Sequence, residues 1–208
     1  MALLTALRDD TMPSLPGCPL AIVDDAILKT VIDFCNRSRA YRYSPASIDV
    51  VANTATYVPT LPSETEIAWL LSAEIDDVPI DTPTPGSVPI LSETDTGVVF
   101  AAVVASTTQL GLRNVPDESA TLNVRLALRP TLAATEYPDA LHVLYRDAIA
   151  SGVLAKLFAQ PKKPWSAPEM VAYYKTAYES GISAAEYRAD RGSSDAPART
   201  SLSLIGGR

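Results

Sequence analysis

The residue types that most often carry chemistry are scarce in this chain of 208 residues. His142 is the single histidine, and it falls within a predicted helix without a second histidine four positions away. Metal sites and nucleophilic triads need several such groups, so a satisfied or exposed helix position is favoured for His142. Cys18 and Cys35 have no further ligand type clustered near them. We expect Cys18 to cap a helix and Cys35 to be a small core residue.

Two pairs of adjacent carboxylates, Asp24-Asp25 and Asp76-Asp77, are the other candidates for acid–base chemistry. Neighbouring side chains on a helix or a strand point apart, so neither pair is expected to share a proton. A simpler explanation is that Asp24-Asp25 places negative charge at the start of a helix and that Asp76-Asp77 forms a turn. The sequence contains no glycine-rich phosphate loop, nucleophile elbow or EF-hand pattern. We therefore predict that the chain is not an enzyme and binds no cofactor or metal.

Charge is distributed unevenly along the chain, whose formal net charge is −7. Residues 43–112 contain no lysine or arginine, which argues against a DNA-gripping surface in the middle of the protein. An ordinary solvated outer face is one interpretation of this block. Its acidic residues are Asp49, Glu64, Glu66, Glu74, Asp76, Asp77, Asp81, Glu93 and Asp95.

Length and composition predict a folded protein, either one domain with an insertion or two small domains. Hydrophobic residues make up 47% of the chain, while 17 prolines and 9 glycines indicate many turns. No stretch approaches the roughly 20 apolar residues that a membrane helix needs. The first ten residues make a poor signal peptide, so we expect a soluble, non-secreted protein.

Three amphipathic helices are predicted, one near the start and two in the last third. The first follows the motif Pro16-Gly17-Cys18-Pro19 and ends before Pro45. The second covers residues 138–159 and carries small side chains that let another helix approach closely. The third starts at a capping-box spacing over residues 166–169. The first helix should bury a stripe made of Leu20, Val23, Ile27, Val31 and Phe34.

The middle of the chain predicts β-structure. Apolar and polar residues alternate most clearly over residues 121–129 and less cleanly over 67–71. Residues 98–105 form a continuous apolar run, which is typical of a strand buried on both faces. Prolines in residues 78–90 predict an exposed loop, and residues 113–119 a second one.

The last residues, 192–208, differ in character from the rest of the chain. Ser, Ala, Pro and Gly dominate, and the aliphatic side chains of Leu202, Leu204 and Ile205 have too few apolar neighbours to form an element. Free in solution, this tail is expected to be disordered.

Three groups of residues resemble one known family. Pro16-Gly17-Cys18-Pro19 leads into residues 32–39 (Ile-Asp-Phe-Cys-Asn-Arg-Ser-Arg), which is similar to the first helix of the head-to-tail adaptor (connector) proteins of tailed bacteriophages. Residues 150–157 (Ala-Ser-Gly-Val-Leu-Ala-Lys-Leu) and 161–168 (Pro-Lys-Lys-Pro-Trp-Ser-Ala-Pro) resemble the helix–turn–helix of the same family. Residues 128–130 and 137–139, which end a strand and open a helix, are similar again.

The resemblance implies a ring, usually of twelve copies, that docks under the portal protein and above the tail nozzle or tube. It also implies an α+β fold: a helical bundle of about three helices from both chain ends, with an inserted antiparallel β domain and an extended C-terminal tail. The corresponding segments are 1–45, 46–132, 133–191 and 192–208. DNA would pass through the ring without sequence-specific binding, and no membrane is involved.

Site residues follow from this resemblance and from the charge pattern. In such rings the C-terminal segment reaches the portal, which predicts portal contacts at Arg199, Leu202, Leu204, Ile205 and Arg208. Gly152, Ala155 and Trp165 are candidates for packing between subunits. Acids that face the channel within about 8 Å, the Debye length at physiological salt, would repel DNA and let it slide. The channel-facing candidates are Glu74, Asp76, Asp77, Asp81, Glu93 and Asp95.

Two other functions stay open at this point. A tail-completion or stopper protein would lie lower in the neck, whereas a small acidic module that binds a host protein would be absent from virions. The adaptor hypothesis places the chain in the virion neck, and in the host cytoplasm before assembly.

Overall fold

The computed structural model describes residues 2–83 and 96–191. Within these ranges three long helices come from the two ends of the chain, and a single helical turn precedes them. Short 3-10 helices at Leu4–Leu7 and Met12–Ser14 flank that turn. The α-helices are α1 (Arg8–Thr11), α2 (Leu20–Ser38), α3 (Asp139–Phe158) and α4 (Pro168–Arg191).

The strands of the described ranges form a five-stranded sheet, a three-stranded sheet and a two-stranded ribbon. All pairings between named strands are antiparallel. The strands are β1 (Ala2–Leu3), β2 (Arg42–Tyr43), β3 (Ile48–Val50), β4 (Thr56–Tyr57), β5 (Thr65–Ile75), β6 (Val78–Ile80), β7 (Ala101–Ser106), β8 (Gln109–Arg113), β9 (Ala120–Pro130) and β10 (Glu136–Tyr137).

The long helices enclose one cluster of buried apolar side chains. The stripe predicted on α2 is confirmed at Val23, Ile27, Val31 and Phe34, which are fully buried. It is wrong at Leu20, which is 52% exposed because this first residue of α2 precedes the part of the helix that the core covers. The helix ends at Ser38, where the next residue adopts a left-handed backbone conformation.

The five-stranded sheet is built around β9. Its order is β2-β9-β5-β6, and β3 pairs with β9 along the same edge as β2. The alternation predicted for residues 121–129 is confirmed, since Leu122, Val124, Leu126 and Leu128 are buried together in a second apolar cluster. This cluster fills the space between the five-stranded sheet and the sheet of order β4-β8-β7.

The predicted loop over residues 78–90 is wrong at its start. Val78–Ile80 forms the edge strand β6, in which Pro79 pairs with Glu74 of β5. Proline has no N–H to donate, and an edge strand tolerates it because one side of the strand needs no partner. Residues 84–90 lie outside the described part of the chain.

The apolar run at residues 98–105 is a strand buried on both faces only over Ala101, Ala102 and Val103, which are buried in succession. Strand β7 begins only at Ala101, and its buried part ends at Val103. Val104 is 36% exposed, because β7 is an outer strand of the three-stranded sheet. The neighbouring strand β8 was not predicted, since it is short and carries Gly111 at its centre.

The predicted fold class, a helical bundle with an inserted β domain, is wrong. Helices, including the 3-10 turns, account for about 42% of the described residues and strands for about 28%, in two antiparallel sheets and a two-stranded ribbon. Helix α2 lies against β9 and β5, where Trp69 Nε1 donates to the carbonyl oxygen of Asn36 at 2.9 Å. Arg129 Nη1 donates to the Asn36 side-chain oxygen at 3.2 Å. The sheet is therefore a principal layer that the helices cover, while the four predicted segment boundaries stay predictions.

Candidate interaction surfaces

A cavity of about 240 Å³ lies where α3 and the end of α4 meet strands β2 and β9. Three arginines line it, Arg42 from β2, Arg125 from β9 and Arg188 from α4. Apolar side chains complete the wall, among them Leu141 and Leu144 of α3. The cavity therefore offers positive charge beside apolar surface, a combination that suits an anionic group attached to an aliphatic one.

The positive charge of this cavity is only partly neutralised. Arg42 Nη2 donates to Asp190 Oδ1 at 2.9 Å, while Arg42 Nε is buried without a hydrogen-bond partner. Arg125 and Arg188 have no carboxylate partner among residues 2–83 and 96–191. Burial raises the pKa of Tyr145, which also lines the cavity, and the positive charge of Arg188 opposes that rise.

Sequence reasoning missed this cavity. Its arginines come from three distant parts of the chain, so no spacing in the sequence marks them as a group. Only the antiparallel packing of β9 between β2 and β5, with α4 folded back over the same end of the sheet, brings them together.

An acidic hairpin tip joins β5 to β6. Asp76 and Asp77 form a two-residue loop between the paired residues Ile75 and Val78, and both have positive φ, 47° and 65°. Two positive φ values are typical of a type I′ turn, which favours Asp, Asn and Gly. Asp76 Oδ1 accepts from the backbone N–H of Thr121 at 2.8 Å, which fixes the tip against β9. Both carboxylate-bearing residues are exposed, and the turn expected from the sequence is present.

The other channel-facing candidates have different surroundings. Glu74 is half-buried in β5, whereas Asp81 is exposed just after β6. The backbone of Asp81 bonds to Phe100 and Ala102, at 3.0 and 2.9 Å, and so continues the sheet toward β7. Glu93 and Asp95 lie outside the described residues. That any of these acids faces a DNA channel stays a prediction.

The small residue Gly152 lies inside the helical core of one chain. A Cβ atom there would meet Thr30 Cγ2 of α2 and Tyr178 Cδ2 of α4, both at 2.7 Å. Trp165 is 6% exposed and belongs to the same core, and Ala155 is half-buried. Gly152 therefore permits the three helices to approach within the chain, and a role for these residues between subunits stays a prediction.

The predicted portal contacts cannot be placed relative to these surfaces. The described chain ends at Arg191, the last residue of α4, one turn beyond Arg188 in the cavity wall. The five residues concerned lie outside the described part of the chain: Arg199, Leu202, Leu204, Ile205 and Arg208.

The single histidine bonds to a buried tyrosine. His142 Nδ1 lies 2.5 Å from the hydroxyl of Tyr137, whose ring is fully buried. Burial raises the pKa of Tyr137 to about 12, so the phenol keeps its proton at neutral pH. The bond therefore ties the first turn of α3 to strand β10.

Nearby, Arg146 of α3 is ion-paired with Asp10 of α1. Among the described residues, no group of His, Cys, Asp or Glu is arranged to hold a metal ion.

Both cysteines are free thiols, and we predict that neither reacts in the native protein. Cys35 is fully buried and burial raises its pKa to about 12, while burial also raises the pKa of Cys18. Because the thiolate is the nucleophile, Ellman's reagent at neutral pH should label the protein only after unfolding in urea. Rapid titration of either thiol under native conditions would contradict the packing described here.

The comparisons with known proteins give no match: no protein-family model matches the sequence, and no curated protein does. None of the helices within residues 2–83 and 96–191 is both long and apolar enough to cross a membrane.

Proposed function

We propose that the chain is a structural head-to-tail adaptor of a tailed-phage neck. It forms a ring between the portal and the tail, and DNA passes through this ring. The starting point is the resemblance of segments near both chain ends to this family. The observation that carries the proposal is the packing of these distant segments on one another in a single core.

The resembling segments meet through specific buried side chains. Phe34 of α2, Val153 and Leu157 of α3, and Trp165 of the following turn share one buried cluster. The turn is closed by the N–H of Ala167, which donates to the carbonyl oxygen of Phe158 at 3.2 Å. The segments that resemble the adaptor family, and that follow the same order along the chain, thus pack together as one structural unit. This packing supports treating the separate resemblances as one.

The C-terminal tail is the proposed portal-binding element. Burial of its three aliphatic side chains against a partner contributes on the order of several kcal/mol before the cost of ordering the tail. Many copies in one ring add avidity, because each bound tail holds its neighbours close to further sites. A weak contact per chain is then sufficient for a stable neck.

The proposed role in DNA passage rests on the acidic block. Residues 43–112 have no basic side chain, and Asp81 is exposed just after β6. In a ring, a repeated acidic surface on the channel wall repels the phosphate backbone at distances up to the Debye length, about 8 Å. The DNA then slides without adhering.

Deletion of residues 192–208 tests the portal-binding assignment. The truncated chain is expected to keep the circular dichroism spectrum and urea midpoint of the full chain, because these residues follow the last core helix. It should no longer be retained by immobilised portal rings of the same phage.

A full-length variant with serine at the three aliphatic positions of the tail is the matched control. It keeps the length and charge of the tail, so loss of portal binding in this variant assigns the contact to the aliphatic side chains. Normal portal binding by the truncated chain overturns the assignment. Binding to a tail protein without any binding to portal favours the stopper function instead.

A further inference from the structure

The arginine-lined cavity and the acidic hairpin are complementary surfaces of the same chain. At the cavity, Arg125 and Arg188 have no carboxylate partner in the described ranges, and Leu144 in its wall is 46% exposed. At the hairpin, Asp77 is exposed and is followed by Val78, which is 62% exposed. Each surface thus pairs unneutralised charge with uncovered aliphatic surface, and the charges have opposite sign.

The hairpin of a chain does not line the cavity of that same chain. Asp76 is fixed to Thr121 at the start of β9, and Arg125 lies four residues further along the same strand. At about 3.3 Å per residue, the backbones of the two positions are about 13 Å apart along a rigid strand. Within the described ranges no ion pair joins Asp76 or Asp77 to Arg125 or Arg188. The hairpin is also joined to β5, which pairs with β9 over its length. A hairpin from another copy is not held by these pairings and is free to enter the cavity.

We propose that the Asp76-Asp77 hairpin of one copy docks into the arginine-lined cavity of the next copy. Asp77 then pairs with Arg125 and Arg188, and Val78 packs beside Leu144. This inference deepens the adaptor function proposed above and rests on it for the ring. The contact joins two different surfaces, so it is heterologous, and repetition closes a ring when the rotation per copy permits.

The contact also gives part of the acidic block a purpose beyond the DNA channel. Charges at a heterologous contact fix its register and disfavour two like surfaces meeting, which suppresses the symmetric dimer. Charged contacts are screened by salt, so assembly through this contact weakens as ionic strength rises.

A disulfide trap tests the contact in the full-length protein. The double variant Val78→Cys with Leu144→Cys, concentrated and oxidised, is expected to give a ladder of covalent multimers on a non-reducing gel, because these two side chains pack directly against each other in the proposed contact. A heterologous contact links each chain to two neighbours, so the ladder passes the dimer. Each single variant is the control and gives at most a dimer. The native thiols are buried, and the unmodified chain run in parallel shows whether they contribute.

Charge reversal provides a second measurement that does not depend on disulfide geometry. Asp77→Lys and Arg188→Glu should each weaken self-association by about tenfold in sedimentation velocity, because like charges then face one another. The chain that carries both substitutions restores one opposite-sign pair and should recover part of the association, because Arg125 is still opposed by the positive charge introduced at position 77.

The outcomes separate this contact from the adaptor function itself. The proposed contact is overturned if the double-cysteine chain forms no multimer larger than a dimer, whether it stays monomeric or associates through other surfaces. It is also overturned if the double charge reversal does not recover any self-association. Normal portal binding alongside such a result leaves the adaptor function standing. A multimer ladder from a chain that does not bind portal supports the contact and removes the adaptor function.

Discussion

Replacement of Phe34 by alanine is expected to lower the free energy of unfolding by about 3–5 kcal/mol, the usual cost of emptying a buried aromatic site. Phe34 is fully buried in α2, and its ring centroid lies 5.3 Å from that of Tyr145 and 6.2 Å from that of Tyr178. It therefore joins α2 to both C-terminal helices. Since domains are typically stable by only 5–15 kcal/mol, the urea midpoint should fall strongly.

Leu20→Ala on the same helix is the matched control for this prediction. Leu20 is 52% exposed, so its truncation should change the free energy of unfolding by roughly 0.5 kcal/mol or less. Equal losses for the two variants would mean that α2 does not face the C-terminal helices through Phe34.

Gly152→Leu is expected to destabilise the isolated chain by about 3 kcal/mol or more. A Cβ atom already meets Thr30 and Tyr178 at 2.7 Å, and a leucine side chain has to displace the Tyr178 ring. The single hydroxyl proton of that ring is donated to Asp33 Oδ2 at 2.8 Å, and the Thr30 carbonyl oxygen at 3.3 Å is an alternative acceptor. The loss exceeds the gain of about 1 kcal/mol that removal of a helical glycine brings.

The neighbouring position separates this core role from a role between subunits. Ser151 donates only to the carbonyl oxygen of Asp147 in its own helix, so Ser151→Leu should leave the urea midpoint nearly unchanged. If Gly152→Leu keeps the monomer's stability but prevents assembly, the glycine acts at a subunit boundary and the core role is wrong.

The helices were predictable because their cause is local. The three- and four-residue spacing of Val23, Ile27 and Val31 needs no knowledge of the partner, and the turn at Asp76-Asp77 follows from residues that tolerate positive φ. Strand β9 was clear for the same reason, since alternation over the nine residues 121–129 is a strong signal.

The fold class was not predictable, because it depends on which faces meet. Nothing in the sequence shows that Trp69 of β5 donates to the Asn36 carbonyl oxygen of α2, or that helices cover one face of the sheet. Pro79 argued against a strand and is tolerated only because β6 is at the edge. These contacts depend on the topology of the whole fold, so no short segment of the sequence predicts them.

The basic cavity was hidden for a related reason. The acidic block is contiguous and can be read directly, whereas Arg42, Arg125 and Arg188 are scattered and meet only in the folded chain. The sequence therefore indicated only the acidic surface, for which repulsion of DNA was the one specific role predicted.

We propose that this chain is a component of the phage neck, present in several copies beside the portal. Quantitative mass spectrometry of purified particles, calibrated with labelled peptides of this chain and of the portal protein, measures that directly. The adaptor function predicts the chain in near-equal number to the portal subunits. Absence of the chain from intact, DNA-filled particles would contradict it.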